Sequence, residues 1–296
     1  MAIPEDQLTT WANQGASDAA QRTYTSVKAA IDAYEGWPSG VTHDHYLQGS
    51  YRNSTNIYGN SDVDVVVQLT STFYHSTLEE NQQAALKFER AKYSLSQFRT
   101  DVIAALTKYY GSQLVDTSGS KSIKVLPASG RLKADVVVAA TYKRYRSDLT
   151  LEAEGITFWT IPDGVQLINY PKQHYDNGVA KNSDSNTRGW YKVTIRTYKN
   201  ARERIYKNKP SLLGKYPSYF TECLLFNVPN GRFGGSYQDN FRDTVNWLHE
   251  ALNSDTANDM ACQNDLQYLF RNTPVTWNLA TAKSYVAELI SLWNTW

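Results

Sequence analysis

Asp62 and Asp64 stand one residue apart in the stretch NSDVDVVVQL (60–69), directly before a run of valines. In an extended strand, residues i and i+2 point to the same face. Two carboxylates side by side repel unless one is protonated or a cation bridges them. Hard oxygen donors at that spacing suit Mg2+. A bare D-x-D has a bland alternative, a solvated pair at a strand edge, and the two aspartates alone do not separate these readings. Asp135 narrows the choice. It lies in LKADVVVAA, an acid again placed at the start of a valine-rich strand. If that strand runs beside the first, three carboxylates converge. Three such acids can hold two divalent ions about 3.5–4 Å apart, the arrangement that clamps an in-line phosphoryl displacement. Acids in such apolar strands are costly without a cation. Thirteen residues before Asp62 stands Gly49-Ser50, in YLQGSYRNST. A Gly-Ser turn lets backbone N–H groups and a hydroxyl approach a phosphate closely.

These residues need strands and helices to position them. Residues 62–69 and 132–142 read as strands through their β-branched runs. SQLVD (112–116), KSIKVL (121–126) and GITFWTI (155–161) supply further extended pieces, with PASGR (127–131) as a turn. Pro4 opens a first helix, and Tyr24, Val27, Ile31 and Tyr34 then recur on one helical face until EGWPSG (35–40) stops it. Ala84, Phe88, Ala91, Leu95, Phe98, Val102, Leu106 and Tyr109 predict a single long helix over 79–110, closed by Gly111. Residues 162–187 are rich in Asn, Asp, Gly, Ser and Pro and read as a long loop. Further helices are predicted over 189–208, 217–227, 237–253, 258–271 and 278–294, with VPNGRFGGS (228–236) as a linker.

A chain of 296 residues, 41% of them hydrophobic, has room for two domains. With a net charge of +1 it does not read as a nucleic-acid coat protein or a membrane-surface binder. Cys223 and Cys262 are too few for a disulfide framework, so a reducing, cytoplasmic setting is expected. The start MAIPEDQLTTW lacks the marks of a secretory signal, and no window approaches 18 consecutive apolar residues.

The order GS, thirteen-residue gap, D-x-D and a later strand aspartate resembles the DNA polymerase β-like nucleotidyltransferase superfamily. GSYRNSTNIYGNSDVDVVV looks more narrowly like the bacterial cGAS/DncV-like nucleotidyltransferases, the CD-NTases. The resemblance implies an α+β fold: a mixed catalytic sheet with an N-terminal bracing helix over 1–170, a helical nucleotide-binding half over 171–296, and an active-site cleft between them. It implies catalytic and metal-ligating roles for Asp62, Asp64 and Asp135, with two Mg2+ ions, or Mn2+ in their place. Gln48, Gly49 and Ser50 would bind nucleotide. In such proteins a helical lysine holds the triphosphate, and a Ser-Tyr step follows about twenty residues later. Lys199 and Ser218-Tyr219 match that pattern, with Lys192 and Arg196 as rivals for the first role and Tyr216 and Trp159 for the stacking ring. A lysine is a point charge for phosphate, and an aromatic face stacks on any base at about 1–3 kcal/mol.

The expected reaction joins NTPs, ATP and GTP ahead of pyrimidines, into a cyclic di- or trinucleotide and releases pyrophosphate. The product would activate a separate effector in anti-phage signalling of the CBASS type. The resemblance leaves place for a regulatory protein partner and calls for neither a membrane nor a nucleic-acid activator. Two alternatives stay open: a synthetase of linear oligonucleotides or transferase of NMP to another acceptor, and an inactive nucleotide-binding scaffold. The basic stretch RTYKNARERIYKNK (196–209) reads as a helix with a phosphate-facing inner side rather than a duplex-binding stripe. His43 and His45 form an isolated HxH and read as turn or core residues, His174 carries no pattern, and Cys223 reads as a buried thiol.

Overall fold

Val65–Val67 and Val136–Val138 are β-branched at every position, which favours extended backbone, and both runs become central strands. The computed structural model describes residues 2–59, 62–128, 130–271 and 277–296. In it β2 (Val63–His75) and β5 (Ala134–Tyr145) pair in parallel. β1 (His43–Gln48) runs antiparallel on the free side of β2. β4 (Ile123–Val125) lies antiparallel to the first part of β5, and β3 (Val115–Asp116) lies beyond it. β6 (Leu151–Trp159) takes the second part of β5, and β7 (Gln166–Asn169) pairs with β6. The result is a mixed sheet of seven strands.

Contacts divide the chain into two units. The sheet unit comprises residues 17–51 and 62–171, and the helical unit comprises residues 1–16, 52–61 and 172–296. In the sheet unit, α2 (Asp18–Asp32) and α5 (Leu95–Tyr110) lay Val27, Ile31, Phe98, Val102 and Leu106 on the buried valines of β2 and β5. In the helical unit, α7 (Trp190–Asn208) buries Tyr191, Ile195, Tyr198, Ala201 and Ile205 at helical spacing. Around it stand α1 (Glu5–Ala12), α6 (Pro171–Lys181), α8 (Ser218–Phe226), α9 (Tyr237–Leu252) and α10 (Leu279–Asn294). Among the described residues, no helix is long and apolar enough to cross a membrane.

Several expectations are corrected. The first 16 residues and residues 52–61 group with the helical unit, so 1–170 is not one block. The reason is local. Ile3 and Leu8 are buried in the helical core, and the Glu5 carboxylate accepts the Tyr237 and Gln238 backbone N–H groups at 2.7 and 2.8 Å, capping α9. The bracing helix is therefore two helices, one per unit, with Gly15 between them. A Cβ on Gly15 would fall 2.7 Å from the Ile57 carbonyl oxygen. The long helix over 79–110 is α4 (Glu80–Ala85) and α5, separated by a break with Lys87 at φ 54°. Ser94 starts α5 through a reciprocal capping box with Gln97. The loop over 162–187 holds β7 and α6. The helix over 258–271 is absent; a 3-10 turn (Asp255–Asp259) and an Ala261–Tyr268 bridge stand there. Asn60 and Ser61 of the opening motif, and Ser129 of the PASGR turn, lie outside the described residues.

Candidate active site

The parallel register of β2 and β5 sets Asp64 opposite Asp135, with Val63 opposite Ala134 and Val65 opposite Val136. Acids at equal register on adjacent strands share a face of the sheet. Asp62 precedes the first residue of β2 and is two positions from Asp64. From the other side, antiparallel β1 brings Gln48 opposite Asp64. The chain then turns at Gly49 into α3 (Gly49–Asn53), with Ser50 half-buried behind it. Gly49 has φ +68°, and a Cβ there would lie 2.1 Å from Asp64 Oδ2. Only glycine meets both demands. Gln48, Gly49, Asp62, Asp64 and Asp135 are thus gathered at one end of the central strands.

The electrostatics of this end involve a residue that sequence reasoning passed over. Lys133 Nζ lies 2.6 Å from Asp62 Oδ2 and 3.7 Å from Asp135 Oδ1, the first a hydrogen-bonded ion pair and the second too long for one. The hydrogen bond to Asp62 is the main cause that raises the Lys133 pKa. Lys124 of β4 sits opposite Asp135 in register. The signal for Lys133 was present in KAD, since residues 133 and 135 share a strand face. Burial raises the Tyr51 phenol pKa, and the charge of Asp62 adds to it.

Among the described residues, no three acidic, imidazole or thiol groups close around one point. The donors nevertheless suit a hard divalent cation. Asp135 Oδ1 and Gln48 Oε1 are buried and have no hydrogen-bond partner among the described residues. A buried carboxylate oxygen without a donor calls for positive charge, and the ammonium of Lys133 already sits beside it. The set is all oxygen, as Mg2+ or Mn2+ would take.

The helical unit places its candidates differently. Ser218 and Tyr219 open α8. The Ser218 hydroxyl accepts a hydrogen bond from Arg202 Nη1 at 3.0 Å, which leaves its own proton free to donate. Tyr219 is 36% exposed, and its ring stacks on His174 with centroids 5.0 Å apart. Its rival Tyr216 is 1% exposed and stacks on Tyr206 and Tyr285 in the core. The other rival, Trp159, belongs to the sheet unit, where its ring meets Tyr74 edge-on.

Lys199 does not face solvent as a phosphate ligand was expected to. It is 2% exposed, and its ammonium donates to Glu222 Oε1 at 2.6 Å and to Thr55 Oγ1 and the Thr55 carbonyl at 3.1 and 3.2 Å. Glu222 also accepts from Asn53, Thr55 and His174. Burial pushes the Glu222 carboxyl up, but the Lys199 charge and the His174 hydrogen bond outweigh it and hold it well below the usual carboxylate range. Arg196 is likewise engaged, donating to the Ala12 and Ser54 carbonyls. Lys192, in the first turn of α7, forms no salt bridge among the described residues and lies 5.7 Å from the Tyr175 ring centroid, which Arg52 also approaches. Sequence reasoning missed Glu222 and His174. An acid inside the apolar run ECLLF was the available signal for the first.

Comparison with known proteins identifies the family. Residues 176–294 match the family model of the cGAS/DncV-like nucleotidyltransferase C-terminal helical domain. A cyclic UMP-AMP synthase from Rhodothermus marinus is 43% identical over 300 residues, covering 100% of this chain and 99% of the relative. The cyclic nucleotide synthase CdnE01 of Staphylococcus haemolyticus is 36% identical over 307 residues, covering 100% of both chains. The structure of the Rhodothermus marinus CdnE c-UMP-AMP synthase with Apcpp and Upnpp superposes with a TM-score of 0.91 at 42% identity, over 99% of this chain and 97% of that one. A mixed sheet with an aspartate on each of two paired strands and a third just before one of them, a helical domain matched over residues 176–294, and full-length similarity to named synthases lead to one conclusion: the chain belongs to the bacterial cGAS/DncV-like nucleotidyltransferases and is a nucleotidyltransferase.

Proposed function

We propose that the protein condenses two NTPs into a cyclic dinucleotide and releases pyrophosphate. The observation that carries this reading is the register of Asp64 and Asp135, with Gly49 closed against Asp64. Asp62, Asp64 and Asp135 would hold two divalent ions, Mg2+ or Mn2+. When bound, such ions neutralise charge on the transferring phosphate and lower the pKa of a coordinated hydroxyl. The chain's own residues do the rest. The Gly49-Ser50 turn offers backbone N–H groups to a phosphate, and the Ser50 hydroxyl donates to it. Asp135 Oδ1, which has no hydrogen-bond partner among the described residues, accepts the proton of the attacking 2′- or 3′-hydroxyl. The hydroxyl oxygen forms its bond to the α-phosphorus as the bond to pyrophosphate breaks. A second round on the linear intermediate closes the ring. Positioning and charge neutralisation supply most of the acceleration.

In the helical unit, Ser218 donates to phosphate and Tyr219 stacks on a base. Lys199 is matched by Glu222, so we assign the phosphate-facing charge of α7 to Lys192 instead. The expectation that purines stand ahead of pyrimidines is replaced. The relative at 43% identity is named a cyclic UMP-AMP synthase, which favours a pyrimidine–purine pair here. Anti-phage signalling through a separate effector is the role we assign to the product. The reaction is tested by pyrophosphate release from UTP and ATP with Mg2+ or Mn2+. Release by the native protein and none by Asp62→Asn/Asp64→Asn supports the reading. No release by the native protein under either ion contradicts it.

A further inference from the structure

His174 belongs to no motif in the sequence, yet its ring is hydrogen-bonded to Glu222 and stacked on Tyr219. It sits on α6 and is 6% exposed. Nε2 lies 3.0 Å from Glu222 Oε2. An ionised carboxylate only accepts, so Nε2 carries the proton and donates it. Nδ1 is buried and meets no hydrogen-bond partner among the described residues. The His174 carbonyl accepts from Gln263 Nε2 at 2.7 Å, and Gln263 Oε1 accepts from Tyr191 Oη at 2.6 Å. One turn along α6, Gly178 makes room for that glutamine: a Cβ there would fall 2.4 Å from Gln263 Nε2. Glu222 in turn is fixed by Lys199. The hydrogen bond to Glu222 orients the imidazole, and Gln263 holds the backbone that carries it.

The imidazole plane lies nearly parallel to Tyr219, at 22°. Trp277 lies near the same ring, with centroids 6.4 Å apart. The hydroxyl end of Tyr219 is enclosed, and burial pushes its pKa well up. The residue as a whole remains 36% exposed. An exposed aromatic ring that is to receive a base must lose its side-chain freedom on binding. A ring already stacked on one face has lost it beforehand.

We propose that His174 is a positioning residue for nucleotide binding: held by Glu222, it stacks on one face of Tyr219 and so presents the opposite face to a nucleobase. The proposal rests on the reading of Tyr219 as a stacking platform. Loss of the imidazole ring weakens base binding without weakening phosphate binding.

The test compares binding of ATP, UTP and inorganic tripolyphosphate, each with Mg2+, by calorimetry. His174→Gln keeps a donor for Glu222 and removes the ring. Its Kd for ATP is expected to rise about 3- to 10-fold, the gain of an aromatic pair, and for UTP by less. Its Kd for tripolyphosphate is expected to stay within about twofold. Unchanged ATP binding overturns the proposal, and so does an equal loss for ATP and tripolyphosphate, which marks a purely structural histidine. If His174→Gln does not fold, His174→Asn carries the same comparison. Tyr219→Ala separates the two readings. If it leaves ATP binding intact, the stacking role of Tyr219 fails. If it weakens ATP binding while His174→Gln does not, only the role of His174 fails.

Discussion

Asp64 and Asp135 stand opposite each other on the one parallel strand pair described in the sheet, β2 and β5. Parallel pairing puts both at the same end of their strands, so two acids distant in sequence share one face. The account predicts that Asp64→Asn or Asp135→Asn lowers kcat by about a thousandfold, several kcal/mol of barrier. Each replacement removes a like-charge repulsion, so the thermal midpoint should hold or rise. Turnover and a melting curve on the same samples check this; a collapse of the melting curve would reassign the aspartates to structure.

Gly49 is the second test of the site. Alanine there must adopt φ +68° and meet Asp64 Oδ2 at 2.1 Å. Gly49→Ala should lower stability by about 1–3 kcal/mol and activity at least tenfold. Denaturant unfolding and turnover measure the two effects.

The sheet was legible because valine runs specify strands and the D-x-D sits at the mouth of one. Convergence with Asp135 followed only on the condition that the two strands pair, which spacing alone does not decide. The long helix was misread for a physical reason. Phe88 and Ala91 continue the 3–4 periodicity, but Phe88 instead packs its ring on Phe73 and His75. The capping pair Ser94 and Gln97 marked the true start. α6 was invisible because its buried positions, Pro171, His174 and Gly178, carry no large apolar side chain. The helix over 258–271 was excluded by an Asn264 side chain that accepts the Leu266 N–H, with Asp265 at φ 56°. Lys199 was legible as a basic residue on a helix, but its partner Glu222 lies 23 residues away.

That pair yields a third prediction. Lys199→Met leaves Glu222 buried with less compensating charge, and should cost about 3–5 kcal/mol of stability. Adding Glu222→Gln should restore part of it. The pH dependence has a definite sign. The folded pKa of Glu222 lies below its ordinary value of 4.5. Its contribution is therefore complete above that value and is lost as pH falls toward the folded one. Denaturant midpoints between pH 7 and pH 3 should fall more steeply for the native protein than for the double variant, roughly as one linked carboxyl requires.

Lys192 carries the phosphate assignment on α7. Lys192→Ala should raise the KM for NTP about tenfold, near the 1.4 kcal/mol of one charge-assisted contact, and leave the melting curve unchanged. A normal KM would return the role to another cation.

The most direct test of the central claim is the identity of the product. The protein is mixed with all four labelled NTPs and Mg2+ or Mn2+, the reaction is digested with phosphatase, and the survivors are identified by mass. The account predicts a phosphatase-resistant cyclic dinucleotide that is absent from Asp62→Asn/Asp64→Asn. Labelled linear chains, or a single nucleotide transferred to an acceptor, would contradict it.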